Sequence, residues 1–98
     1  MSAPPAPSTA ERIRAALAER LAPIRLAVED ESAQHAGHAG AREGGHFRVQ
    51  IVSERFRGLT RIGRHRLVYE CIAERLTLKA AGIHALAIEA RTPEEVKS

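Results

Sequence analysis

Five histidines, one cysteine and a run of arginines carry most of the chemistry that this chain of 98 residues can offer. His84 stands near the head of the segment Gly82-Ile83-His84-Ala85-Leu86-Ala87-Ile88. Period-two alternation there puts His84, Leu86 and Ile88 on one face of a strand and Ile83, Ala85 and Ala87 on the other. An imidazole leading an apolar row is either a strand-end side chain satisfied by a backbone carbonyl or a ligand at the sheet margin. His35 and His38 lie in a glycine-rich stretch, and His46 follows just beyond it. His35 and His38 have the H-x-x-H spacing of a zinc pair, but no third and fourth ligand is evident beside them. Cys71 falls in an apolar helical stripe and reads as a small core residue rather than a thiolate ligand.

The second chemical feature is positive charge. Arg55, Arg57, Arg61, Arg64 and Arg66 fall within twelve residues that also hold Gly58, Thr60 and Gly63, at the entry to a helix. Cations at a helix N-terminus oppose the macrodipole, so these arginines gain nothing locally; they are either a solvated face or aimed at an external anion. The anion expected in the second case is the phosphate backbone of double-stranded DNA, with a salt-sensitive affinity and no evident base-reading constellation. Hydrolytic catalysis finds no support. Ser32 and Ser53 lack a nucleophile elbow, no glycine-rich phosphate loop follows a strand, and His65 has a structural, hydrogen-bonding role as its simplest reading. The chain is expected not to be an enzyme.

Composition narrows the setting. A hydrophobic content of 44% over this length supports one core and one domain. Aromatic residues make up only 3%, so a stacking platform for single-stranded nucleic acid is poorly supplied. A formal charge of +3 permits an anionic partner without demanding one. A single cysteine excludes an internal disulfide and fits a reducing compartment. No apolar run approaches a membrane span, and residues 1–7 lack the regions of a signal peptide, so an unprocessed cytoplasmic protein is expected.

The elements that must position these side chains follow in order. Residues 1–7, proline-rich, read as a disordered lead-in, with a single domain over 8–98. Ser8 and Glu11 have capping-box spacing, and Ile13, Leu17 and Leu21 make one stripe of a helix that Pro23 ends. Ile24, Leu26 and Val28 alternate with Arg25, Ala27 and Glu29 as a first strand. Glu31 to Gly45 has no large apolar residue and four glycines, which predicts a long mobile loop. Phe47, Val49 and Ile51 mark a second strand, antiparallel to the first and ending near Ser53. Leu67 with Cys71, and Val68 with Ile72 and Leu76, mark the main helix; Gly63 would separate it from a short preceding turn, giving a helix-turn-helix-like pair. Tyr69 is expected half-buried. Gly82 closes the helical region, a third strand follows from Ile83, and Thr92-Pro93-Glu94-Glu95 starts a short terminal helix. The order αββααβ(α) predicts an α+β, two-layer domain with a three-stranded sheet and helices on one face.

These residues resemble the BolA family. The matching stretches are Glu31-Ser32 with His35, His46-Phe47-Arg48-Val49, Ile51-Val52-Ser53, Phe56 with Gly58, Arg64-His65-Arg66-Leu67-Val68-Tyr69, Ile83-His84-Ala85-Leu86 and Thr92-Pro93. The resemblance covers residues 8 to 96. It implies a fold similar to the class II K-homology domain, partnership with a monothiol glutaredoxin and a two-iron two-sulfur ([2Fe-2S]) cluster shared between the two, in cluster trafficking or iron-dependent regulation. It also implies a DNA-binding, transcriptional role in morphology and stress response for some bacterial members. The family's invariant C-terminal ligand falls on His84, and its second ligand belongs to the loop between the first two strands, where this chain offers His35, His38 and His46. Two departures stand out. The loop is longer than the family pattern, and four residues separate Gly58 from Gly63, so the Gly-x-x-Gly clamp of K-homology domains is missing.

Ligand arithmetic agrees with a shared cluster. Such a cluster takes four ligands, mostly cysteine, with histidine able to replace some. One core cysteine and a few imidazoles cannot hold it alone, so a partner must bring the other thiolates. A monomer is expected in isolation and a heterodimer with the cluster.

Overall fold

The computed structural model describes residues 6–32 and 45–96. Helix α1 spans Thr9–Leu21 and opens on the expected capping box: Ser8 Oγ accepts from the Glu11 N–H, and the Glu11 carboxylate accepts from the Ser8 N–H. Its buried residues are Ile13, Ala16, Leu17 and Leu21, the predicted stripe with one alanine added. Strand β1 (Arg25–Asp30) pairs antiparallel with β2 (Gly45–Val52), as expected. A single 3₁₀ turn at Glu54–Phe56 leads to α2 (Arg61–Ala73). Strand β3 (Ile83–Arg91) then pairs parallel with β2, and α3 (Pro93–Val96) ends the described chain.

The sheet order is β1-β2-β3. A parallel pair cannot be joined by a hairpin, and α2 is the crossover that returns the chain to β3 in the same direction as β2. Three rows cross the sheet toward the helices: Asp30-Phe47-Leu86, Val28-Val49-Ile88 and Leu26-Ile51-Ala90. Apart from exposed Asp30, these rows join Ile13 and Leu17 of α1, Phe56 of the turn, and Val68, Cys71 and Ile72 of α2 in the core. The opposite sheet face is polar, and Gln50 Nε2 donates to Glu89 across the β2–β3 pair at 2.7 Å.

Several local expectations are corrected. Ile24 stands outside β1 and is 62% exposed, because the strand begins one residue later and only Leu26 and Val28 reach the core. Gly63 does not separate two helices. It lies in the first turn of α2, its N–H held by the N-cap Thr60 Oγ at 3.0 Å, and a three-residue turn is all that precedes the helix. Tyr69 is 37% exposed, since it lies off the Val68/Cys71/Ile72 stripe of α2. Gly82 does adopt a positive φ of 77°, but it closes a turn after Leu76 rather than the helix itself, which ends at Ala73.

Ser53 ties three elements together. Its Oγ donates to the Leu21 carbonyl at 2.6 Å and accepts from the Arg55 N–H, while its own N–H donates to the Arg91 carbonyl. The residue is 1% exposed. Ser53→Ala therefore strands a buried carbonyl and an amide, and is expected to cost about 1–3 kcal/mol. Urea unfolding should show a lower midpoint with an unchanged slope.

Candidate functional site

Two of the sequence-selected histidines meet at the start of the β2–β3 pair. The rings of His46 and His84 have centroids 5.4 Å apart and are tilted at 57°. Several backbone contacts fix this end of the sheet. The Gly45 N–H donates to the Gly82 carbonyl, joining the first residue of β2 to the residue before β3. Glycine at 45 suits this approach, because an added Cβ would press on the buried Phe47 ring and come within 3.1 Å of the Gly82 carbonyl oxygen. The His46 N–H donates to Ser32 Oγ at 3.0 Å, and its carbonyl accepts from the Glu31 N–H at 2.7 Å. Ser32 is held in turn by its N–H on the Asp30 carboxylate, and the Ser32 hydroxyl together with this N–H lowers the Asp30 pKa below its ordinary value. Arg48 and Glu31 close the side with an ion pair at 3.1 Å.

His84 does not share a face with Leu86 and Ile88 as alternation predicts. Gly45 faces Ile83 and His46 faces Ala85, so β3 spends one extra residue, His84, against a single step of β2. That bulge breaks the period of two. Ile83 and Leu86 both pack on the core, while His84 is exposed beside half-buried His46. Bulges re-aim side chains in this way at sheet margins. Two imidazoles bound to one metal ion through bonds of about 2 Å would have centroids about 5 Å apart, so this pair has the spacing of a two-histidine half-site. His35 and His38 lie outside the described residues. Among the described residues no group of three or more His, Cys, Asp or Glu could hold a metal. Cys71 is wholly buried, and burial pushes its thiol pKa up, as a core cysteine rather than a ligand. Any cluster held here needs ligands from elsewhere.

Sequence reasoning misses Ser32 and Gly45 as the residues that position His46. A glycine placed directly before the first side chain of a strand was the available signal for a close backbone approach.

The basic face divides. Arg57 pairs with Glu54 and Glu94. The Arg64 side chain, only 15% exposed, bonds Glu95 at 2.6 Å and the Leu59 and Ala90 carbonyls. Arg55, Arg61 and Arg66 are exposed and enter no ion pair among the described residues. The sequence cluster is thus partly internal structure, with Arg57 and Arg64 fastening α3 to the 3₁₀ turn and α2.

Arg64, aided by the Thr92 N–H, holds the Glu95 carboxyl at about 2, against an ordinary 4.5. A depressed carboxyl pKa stabilises the fold above 4.5, and that contribution is lost as pH falls from 4.5 through about 2. Glu95→Gln is expected to lower the melting temperature at neutral pH, with the gap from wild type closing across that acid range.

Comparison with known proteins accords with this architecture. The family described as BolA-like protein matches residues 17–95. "Protein BOLA1, chloroplastic" of Arabidopsis thaliana is 45% identical over 93 residues, covering 91% of this chain and 56% of its own length. This chain thus spans little more than half of that relative. "DNA-binding transcriptional regulator BolA" of Escherichia coli (strain K12) is 40% identical, covering 87% of this chain and 76% of its own. The solved BolA domain of SufE1 from Arabidopsis thaliana superposes with a TM-score of 0.76 at 44% identity, over 94% of this chain and all of that one. A match from Leu17 to Glu95, carried on the same three-stranded sheet and helices, shows that the chain belongs to the BolA family.

Proposed function

We propose that this chain is a non-enzymatic partner of a monothiol glutaredoxin, sharing a two-iron two-sulfur cluster through His84 and His46. The observation that carries this reading is the 5.4 Å approach of the two rings at one end of the sheet. The family resemblance supplies the cluster, and the donor set limits how it is held: two imidazoles here, thiolates from the partner. His84, exposed on its bulge, meets the partner, while His46 is fixed by the Ser32 and Glu31 contacts to its backbone. His46 is the partner of choice for His84 because both stand on paired strands. The bound cluster supplies electron-transfer or sulfur-trafficking chemistry, and the protein contributes ligands and orientation. The isolated chain is a monomer, and the cluster makes the heterodimer.

Adding the protein to a cluster-loaded monothiol glutaredoxin should change the visible absorption and circular dichroism spectra, and His84→Ala should remove the change. A spectrum that wild type leaves untouched overturns the reading. Among the described residues no helix is long and apolar enough to cross a membrane, and a lone buried thiol suits the reducing cytoplasm in which we place the chain.

A second reading, DNA binding and transcriptional regulation, is favoured by exposed Arg55, Arg61 and Arg66 and by the name of the Escherichia coli relative. Three phosphate contacts would give a logarithmic salt slope of about −3. Mobility shifts at two salt concentrations test it, and no retardation at low salt removes it.

A further inference from the structure

Between the first turns of α2 and the C-terminal half of β3 lies an open cleft of about 520 Å³, at the far end of the sheet from the histidine pair. Arg61, Arg64, His65 and Arg91 line it, together with Glu89 and Glu95. Both carboxylates are already engaged, Glu89 by Gln50 and Glu95 by Arg64 and the Thr92 N–H. Arg61 and Arg91 are exposed and enter no ion pair among the described residues. The first turn of α2 contains no acidic residue, so the positive end of its dipole adds to the arginine charge instead of being offset. Arg64 is held by three acceptors, through Nε to Leu59 and through Nη1 to Ala90 and Glu95. Its guanidinium is therefore oriented before any ligand arrives, which lowers the entropy lost on binding.

We propose that this cleft binds a phosphate group, with Arg61, Arg64 and Arg91 as its cations, His65 as a further donor, and Glu95 as a built-in competitor for Arg64. The ligand chemistry is a phosphate oxyanion, which forked guanidinium groups match in shape and charge. The source is either free phosphate or the phosphate of a nucleic-acid backbone. Glu95 on Arg64 shows that the cleft wall already accepts an oxyanion at this position. The proposal stands apart from cluster sharing, whose residues lie at the opposite end of β3.

The test records amide and arginine side-chain resonances of the full chain during titration with inorganic phosphate. Sodium chloride at matched ionic strength is the control, and a short DNA duplex forms a separate arm. Saturable shifts confined to Arg61, Arg64, His65 and Arg91 are expected with phosphate and not with chloride. The Arg61→Ala/Arg91→Ala double variant, altered only at exposed positions, should keep its melting temperature and bind phosphate at least tenfold more weakly. Glu95→Gln should bind several-fold more tightly. Shifts that track ionic strength alone overturn the proposal, as does saturation by duplex DNA without saturation by phosphate, which would make the arginines a diffuse polyanion surface. A Glu95→Gln protein that is still folded at the titration temperature and binds phosphate no better than wild type overturns the competitor role.

Discussion

Replacing His46 and His84 together with alanine is expected to abolish the spectral change that the wild-type chain imposes on a cluster-loaded monothiol glutaredoxin. Either single replacement should already remove most of it. Ligands of one site act as a unit, so the double variant should lose little more than each single one, and the free-energy sum of the singles should exceed the double. Loss of an outer contact to a ligand commonly costs about 10–100-fold in metal affinity, and loss of the ligand itself should exceed that. The fold should survive. His84 is exposed at the sheet margin, and a surface change of this kind usually stays within about 0.5 kcal/mol. Thermal melting of each variant checks this, so a lost spectral change can be assigned to lost ligands. DNA retardation, measured in parallel, should be unaffected. His84 and Arg91 are seven residues apart on β3, which at about 3.3 Å per residue sets them roughly 23 Å from one another.

Phe56→Ala should be the most damaging single change to stability. Phe56 is wholly buried, on a turn of only three residues, and belongs to the same core cluster as Ile13 and Leu17 of α1 and Val68 and Ile72 of α2. Backbone hydrogen bonds and the Ser53 cap close the turn locally, and this ring anchors it to the core. Removing a buried phenyl typically costs about 3–5 kcal/mol, from lost transfer energy and the cavity left behind. Domains of this size hold only about 5–15 kcal/mol in total, so a large unfolded fraction at 37 °C is expected. Urea titration followed by far-ultraviolet circular dichroism measures the loss. A midpoint within error of wild type would contradict the packing described.

Much of the fold is legible in the residues because the signals are local. The Ser8–Glu11 box, the Ile13/Leu17/Leu21 stripe and the alternation of Phe47, Val49 and Ile51 each act within a few positions, and each element appears as expected. The parallel pairing of β2 with β3 is another matter. It joins segments more than thirty residues apart, and no periodicity in either strand encodes its partner or direction. The face of His84 is illegible for a related reason: its bulge exists only in the register with β2, and alternation counted along β3 alone gives the wrong parity. The arginines show a third limit. Five look equivalent along the chain, yet Arg57 and Arg64 are taken up by Glu94 and Glu95 of a helix that lies distant in sequence and adjacent in space. The imidazoles of His46 and His84 are visible along the chain; which two rings meet is not.

The extra residue in β3 uncouples that position from the rest of the strand. Leu86, Ile88 and Ala90 must satisfy the helices, so their identities are constrained by volume and polarity. Residue 84 is the extra residue of the register and lies outside the core cluster, so its identity answers to what it meets and not to packing. A saturation library scored for folding should tolerate nearly any side chain at 84 and few at 88, and the same library scored for partner binding should reverse that order. The bulge lets one position adapt to binding while its neighbours answer to stability.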